Sequence, residues 1–98
     1  MAKIRYSDQA LGDLERLTDF LLQSDARAAG GTVGLLVEAI SILENHPLIG
    51  RPVEQDLREL VISRGKSGCL ALYSYEGPQE TVLILAIRHQ REAGYISQ

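Results

Sequence analysis

The chain has 98 residues, of which 45% are hydrophobic and 23% are charged, and its formal net charge at pH 7 is −3. This length predicts a single domain, residues 1–98, near the lower end of what one core can stabilise. No apolar run approaches the ~18 residues that a membrane span needs, and the N-terminus lacks the apolar core of a signal peptide. The single cysteine, Cys69, excludes an internal disulfide and a CxxC metal site. We therefore expect a cytoplasmic protein without cofactor, metal or membrane contact.

The charge is unevenly distributed along the chain. Residues 1–57 carry five basic and nine acidic side chains, a balance of −4, and residues 58–98 carry five basic and four acidic ones, a balance of +1. Phosphate contacts need clustered lysine and arginine, so the acidic total argues against direct, sequence-specific nucleic-acid binding. A cationic working surface is expected in the C-terminal half.

The first part of the chain predicts a strand followed by a helix. Lys3–Tyr6 alternates apolar and charged residues, as a short strand does. Ser7 or Asp8 can cap a helix that ends near Ser24–Asp25. Its apolar stripe recurs at helical spacing and comprises Ala10, Leu14, Leu17 and Leu21. The polar side is predicted to hold Asp13, Glu15, Arg16 and Asp19.

A second helix is predicted from about Ala26 to Asn45, antiparallel to the first. Its first half is weakened by three glycines, which either fray that end or permit close helix approach: Gly30, Gly31 and Gly34. The dipeptide His46-Pro47 stops this helix, and a loop follows to Asp56.

Three strands are predicted in the remainder, at about Leu57–Ser63, Cys69–Tyr75 and Thr81–Arg88. The element order βααβββ predicts an α+β fold, with an antiparallel helical hairpin packed on a twisted, mainly antiparallel four-stranded sheet. Both faces of the last two strands are apolar, as in Thr81–Ile87 (TVLILAI). Since two helices cover only one face, the other is expected to stay partly exposed unless a partner, a second copy or the C-terminal tail covers it.

Five segments, in this order and spacing, resemble the RelE/ParE superfamily of toxins. They are IRYSDQALGDLERLTDFL at 4–21, AISILENHPLIGRPV at 39–53, LRELVIS at 57–63, CLALYSY at 69–75 and VLILAIRHQREAGY at 82–95. The resemblance implies the toxin of a bacterial type II toxin–antitoxin system, with an antitoxin that wraps the toxin. It also implies growth inhibition, plasmid stabilisation and one of two activities: RelE-type members cleave mRNA in the ribosome, and ParE-type members inhibit DNA gyrase.

Metal-free RNA cleavage through a 2′-hydroxyl needs a base, an acid and cations that stabilise the charged phosphorane. The candidate residues, for catalysis or for contact with the antitoxin or the target, are Arg58, Arg64, Lys66, Arg88, His89, Arg91 and Tyr95. His89 is compatible with a general base, or with a partly exposed histidine at a strand end. Tyr95 is compatible with a proton donor or a stacking platform, and such tyrosines more often anchor a chain end.

The cations of the ribonuclease branch are incomplete in this chain. The resemblance places an arginine of that branch where this chain has Leu70, and two lysines where it has Val61 and Ser63. Each lost cation that holds a transition state costs catalysis about 10²–10³-fold. We therefore predict a toxin that is not an enzyme and inhibits DNA gyrase. The alternatives are a RelE-type, ribosome-dependent mRNA endoribonuclease and an inactive homologue that only binds an antitoxin.

Overall fold

The computed structural model describes residues 1–24, 34–64 and 67–90. The strands are β1 (Lys3–Tyr6), β2 (Arg51–Pro52), β3 (Arg58–Arg64), β4 (Ser67–Glu76) and β5 (Thr81–His89). The helices are α1 (Asp8–Ser24) and α2, which covers 34–40 within the described residues, followed by a 3₁₀ turn at Ser41–Glu44. The predicted connection between the helices falls at 25–33, outside the described residues. No helix in the described ranges is long and apolar enough to cross a membrane.

The sheet has five strands in the order β1-β5-β4-β3-β2, so the predicted four-stranded sheet is wrong in detail. The fifth strand is the two-residue β2, inside the segment predicted as a loop. It pairs antiparallel with the start of β3, Arg51 opposite Glu59 and Pro52 opposite Arg58. Proline is tolerated there because β2 is an edge strand. The sheet is mixed because β1 runs parallel to β5, from Lys3 opposite Thr81 to Tyr6 opposite Ile84.

The second helix does not continue as a regular α-helix to Asn45. Its last part is the 3₁₀ turn, in which the N–H groups of Asn45 and His46 both donate to the Ile42 carbonyl, at 3.2 and 3.0 Å. A tighter final turn satisfies orphan carbonyls at a helix end, and Pro47 prevents further helix.

The core lies between the helices and one face of the sheet, called here the inner face. Ser7 caps α1, as one of the two predicted caps, by accepting the Ala10 N–H at 3.1 Å. Of the predicted stripe, Ala10, Leu14 and Leu17 are buried on α1 and pack with residues from the other elements. The side chain of the fourth member, Leu21, lies outside the described part of the structure. The packing partners lie in α2, in the 3₁₀ turn and on the strands. These are, among others, Leu36, Ile40, Leu43, Cys69, Ala71, Tyr73, Val82, Ile84 and Ile87.

A tyrosine fixes the loop that joins the 3₁₀ turn to β2. The fully buried hydroxyl of Tyr73 accepts a hydrogen bond from the Gly50 N–H at 2.9 Å and donates one to the Pro47 carbonyl at 2.8 Å. A Cβ added at Gly50 would lie 2.6 Å from that hydroxyl oxygen and 3.0 Å from the Glu59 carbonyl oxygen. The packing around Gly50 therefore leaves no room for a side chain at this position.

We expect Gly50→Ala to lower the free energy of unfolding by about 1–3 kcal/mol, because the new methyl group must displace Tyr73 or the β3 backbone. Gly34→Ala is the matched control, since a Cβ there meets nothing within 4 Å. In that helical position alanine should leave stability unchanged or raise it by up to about 1 kcal/mol. Urea denaturation of both variants measures the difference, and equal effects would contradict the packing role of Gly50.

Candidate functional site on the outer sheet face

The sheet face turned away from the helices, called here the outer face, is less exposed than the sequence indicated. Leu70 and Ala86 on this face are buried, and Leu72, Leu83 and Leu85 are half-buried. Of the apolar side chains that register assigns to this face in the described strands, only Val61 is exposed, at 46%. The expectation of a partly exposed apolar hairpin face is therefore met only in part.

Three residues on the outer face form a row across neighbouring strands, called here the central row. Val61 of β3 lies opposite Leu70 of β4, and Leu70 lies opposite Arg88 of β5. Directly opposite residues on one face have Cβ atoms about 5 Å apart, so substituents at these three positions would meet. In this chain the row holds one cation, Arg88, beside two aliphatic side chains.

The two strand-end candidates lie on opposite faces. Arg88 is half-buried on the outer face, and its Nη1 lies 3.5 Å from the His89 carbonyl oxygen. His89 is fully buried on the inner face, opposite Cys69. The interpretation of His89 as a partly exposed strand-end residue is therefore wrong. A general base in this position would not face a substrate on the outer face.

Arg58 takes a structural position instead of facing the central row. Its guanidinium donates to the carbonyl oxygens of Leu48 at 3.0 Å and Gly50 at 2.8 Å, in the loop that Tyr73 also holds. Burial raises the pKa of the Tyr73 hydroxyl, and the hydrogen bond from Gly50 and the charge of Arg58 oppose that rise. The side chains of Arg58 and Tyr73 thus stabilise one loop conformation through four hydrogen bonds.

The other candidates are only partly placed. Arg64 is the last residue of β3, opposite Ser67 at the end of the β3–β4 pairing. Three predicted site residues lie outside the described residues: Lys66, Arg91 and Tyr95. Among the candidates that the structure places, Arg88 alone belongs to the central row. Within the described ranges, no cluster of histidine, cysteine, aspartate and glutamate could hold a metal ion.

Asp13 was assigned to the polar side of α1, and this assignment is wrong. Its side chain is buried, and Oδ2 accepts a hydrogen bond from the Ile87 N–H of β5 at 2.9 Å. Arg16 lies 3.2 Å from Asp13 Oδ1 and donates to the Ile87 carbonyl at 3.1 Å. The pair therefore faces the backbone of β5. In the sequence, the i,i+3 spacing of opposite charges indicates an ion pair, but it does not indicate that the pair binds a strand.

A second surface feature is a groove of about 900 Å³ between the α2 region and β3, called here the edge groove. It is lined by Leu35, Glu38, Ala39, Ser41, Ile42, Glu44, Asn45, Ile49, Leu60, Val61 and Ile62. Several of its apolar residues are exposed, including Ile42 and Ile49. The lining residues include two carboxylates and no lysine or arginine. Four of the nine exposed large hydrophobic residues in the described ranges line this groove, whereas the β4–β5 hairpin contributes none of the nine.

The fold is shared with chains of solved toxin–antitoxin systems. A structure described as the chromosomal ParDE TA system from P. aeruginosa superposes with a TM-score of 0.73 at 24% identity, over 89% of this chain and 94% of that one. The toxin–antitoxin complex RelBE2 from Mycobacterium tuberculosis gives a TM-score of 0.54 at 25% identity, over 91% and 98% of the two chains. These likenesses define a small α+β domain of the RelE/ParE superfamily.

Sequence relationships narrow the class further. Toxin RelE3 of Caulobacter vibrioides is 30% identical over 92 residues, which cover 94% of this chain and 98% of that protein. Residues 4–94 match the family described as ParE toxin of type II toxin-antitoxin system, parDE. The chain belongs to this ParE toxin family, and it is a type II toxin of the ParE/RelE group, which confirms the resemblance seen in the sequence.

The hydrogen bonds of Arg58 to the loop indicate a structural role for this residue, which its removal can test against a role in contacting a partner. We expect Arg58→Ala to lower the free energy of unfolding by about 1–2 kcal/mol, because two loop carbonyls lose a charged donor. The pKa of Tyr73 should also rise, because a neighbouring positive charge is removed. Urea denaturation and ultraviolet titration of the tyrosines measure the two effects.

Arg5→Ala is the matched control, since Arg5 is an exposed arginine on β1. It should change neither quantity. A folded-state tyrosine pKa above its ordinary value contributes stability that is lost as pH rises past about 10, so the alkaline loss of stability should depend on Tyr73. The structural role of Arg58 would be contradicted if Arg58→Ala and Arg5→Ala behaved alike.

Proposed function

We propose that this toxin inhibits DNA gyrase and that a cognate antitoxin neutralises it. The central row carries the first part of the proposal. At Val61 and Leu70 the chain has aliphatic side chains where the ribonuclease branch is expected to have cations. Because these positions are neighbours across the strands, cations there would converge on one phosphate, and here only Arg88 supplies positive charge.

The position of His89 supports the same choice. RNA cleavage on the outer face would need a proton acceptor on that face, within hydrogen-bond reach of the attacking hydroxyl. His89 is fully buried on the inner face. Gyrase inhibition needs a contact surface instead of a proton-transfer centre, and arginine is one of the residues enriched in protein contact surfaces.

The expected result is that the purified protein blocks supercoiling of relaxed plasmid by gyrase, or accumulates gyrase-cleaved DNA, and leaves ribosome-bound mRNA intact. Arg88→Ala should raise the inhibitory concentration about tenfold, which corresponds to ~1.4 kcal/mol of binding. Lys3→Ala is the control, because Lys3 is an exposed cation at the far end of β1.

Two outcomes would contradict this proposal. Cuts in ribosome-bound mRNA that disappear in Arg88→Ala would assign the ribonuclease activity to the same face. Absence of any effect on gyrase or mRNA, with the antitoxin still bound, would identify an inactive homologue.

The edge groove is the proposed docking site for the antitoxin. Exposed apolar side chains line it from both the α2 region and β3, and Glu38 and Glu44 supply negative charge without a cation among the lining residues. An occupant that complements this lining is an antitoxin segment with apolar residues along one side and lysine or arginine at its flank. The M. tuberculosis neighbour is itself a toxin–antitoxin complex, which supports a protein partner of this kind.

We expect Ile42→Asp to weaken the complex with the cognate antitoxin by at least ~2 kcal/mol, about 30-fold in Kd. The new carboxylate would be desolvated against an apolar surface that is already acidic. Leu11→Asp is the matched control, because Leu11 is a similarly exposed leucine on α1 outside the groove. Titration calorimetry with both variants measures the difference, and equal affinities would place the antitoxin elsewhere.

A further inference from the structure

The alternation of side chains along β5 breaks once, at a bulge. Before the break Val82 and Ile84 face the core, opposite Tyr75 and Tyr73. After it Ile87 faces the core opposite Ala71, while its neighbour Ala86 is opposite Leu72 on the outer face. The register shift lies between Leu72 and Tyr73 of β4, so that β5 carries one extra residue at this point.

The bulge decides which face receives Arg88. A strand alternates with a period of two, so the phase of Val82 and Ile84 would continue to Ala86 and Arg88. In that register Arg88 would lie under the helices and His89 would face outward. The extra residue reverses the phase and puts Arg88 in the central row, with His89 in the core. Bulges are known to re-aim a side chain in this way.

The cap of α1 and two side chains of the helix itself bind the backbone of the bulged segment. Pairing of β1 with β5 ends at Tyr6 opposite Ile84, so the next residues of β5 run past α1 instead of a strand. Ser7 Oγ donates to the Leu85 carbonyl at 3.0 Å. Asp13 Oδ2 accepts the Ile87 N–H at 2.9 Å, and Arg16 donates to the Ile87 carbonyl at 3.1 Å. Both polar backbone groups of Ile87 are thus bound by one ion pair on α1.

We infer that Asp13 and Arg16 are positioning residues that hold the bulge and thereby orient Arg88 toward the outer face. What Arg88 then contacts rests on the proposed function, but its orientation does not. The buried carboxylate of Asp13 supplies the hydrogen-bond acceptor that a regular neighbouring strand would have given to the Ile87 N–H. The Arg16 guanidinium supplies the corresponding donor and neutralises the carboxylate.

The test reads the orientation of β5 directly, on the full chain with Cys69→Ala to remove the native thiol. Single cysteines are placed by Arg88→Cys or by Ile87→Cys, and their rates of reaction with a maleimide are compared. Residue 88 should react at least about tenfold faster than residue 87, since a buried thiol is shielded from the reagent. Asp13→Ala should reduce this ratio toward one, and Arg16→Met should reduce it less.

Asp13→Asn is the conservative variant and should restore the ratio, because its side-chain oxygen can still accept the Ile87 N–H. Thr18→Ala is the control on the same helix, since Thr18 Oγ bonds only the Leu14 carbonyl among the contacts described, at 2.9 Å. It should leave the ratio unchanged. Where the Ile87→Cys chain is too unstable to label, exchange of the Ile87 amide hydrogen in the otherwise native chain gives a second measurement. Asp13→Ala should accelerate it at least about tenfold beyond the other β5 amides.

An unchanged labelling ratio in Asp13→Ala, or equal acceleration at every β5 amide, would overturn the inference. A functional arm uses the gyrase assay: Arg16→Met should weaken inhibition in the native chain and have no further effect once Arg88→Ala is present. Additive losses in that cycle would contradict positioning through Arg88. If the native chain does not act on gyrase at all, the proposed function fails, while the labelling ratio still decides whether Asp13 and Arg16 orient the strand.

Discussion

The hydrogen bond between the Asp13 carboxylate and the Ile87 N–H, 2.9 Å long, joins the helical layer to β5 just beyond its bulge. The bulge reverses the alternation of side chains along β5. Ile87 and His89 therefore face the core, and Arg88 faces the outer surface. The arrangement of the outer face therefore depends on a partly buried ion pair on α1 that does not belong to that face.

Local sequence patterns predict some parts of the fold, whereas other parts depend on pairing between distant segments. The stripe of Ala10, Leu14 and Leu17 is visible at helical spacing, and Ser7 is a recognisable cap, so α1 could be predicted almost to the residue. The last three strands were also expected within a few residues. β2 was not, because a two-residue strand with a proline forms only when the register of β3 places Arg51 opposite Glu59, whose carboxylate accepts the Arg51 Nε–H at 3.0 Å.

The site was harder to predict than the fold for a related reason. In TVLILAI every position is apolar, so the sequence contains no alternation whose reversal could reveal the bulge. A carboxylate on a helix, such as Asp13, resembles a solvated residue until the neighbouring backbone is known. The family resemblance still identified the outer-face positions Val61 and Leu70, and the register places them side by side with Arg88. The gyrase assay tests which target that surface binds.

The measurement that tests the account most directly is the register of β4 and β5 in solution, read from cross-strand backbone NOEs on the isotope-labelled full chain. Tyr73 should lie opposite Ile84 before the bulge, and beyond it Ala71 should lie opposite Ile87 and Cys69 opposite His89. An unbroken register, with Ala71 opposite Ala86 and Cys69 opposite Arg88, would contradict this prediction. In that case Arg88 would point into the core, and the central row on the outer face would not exist.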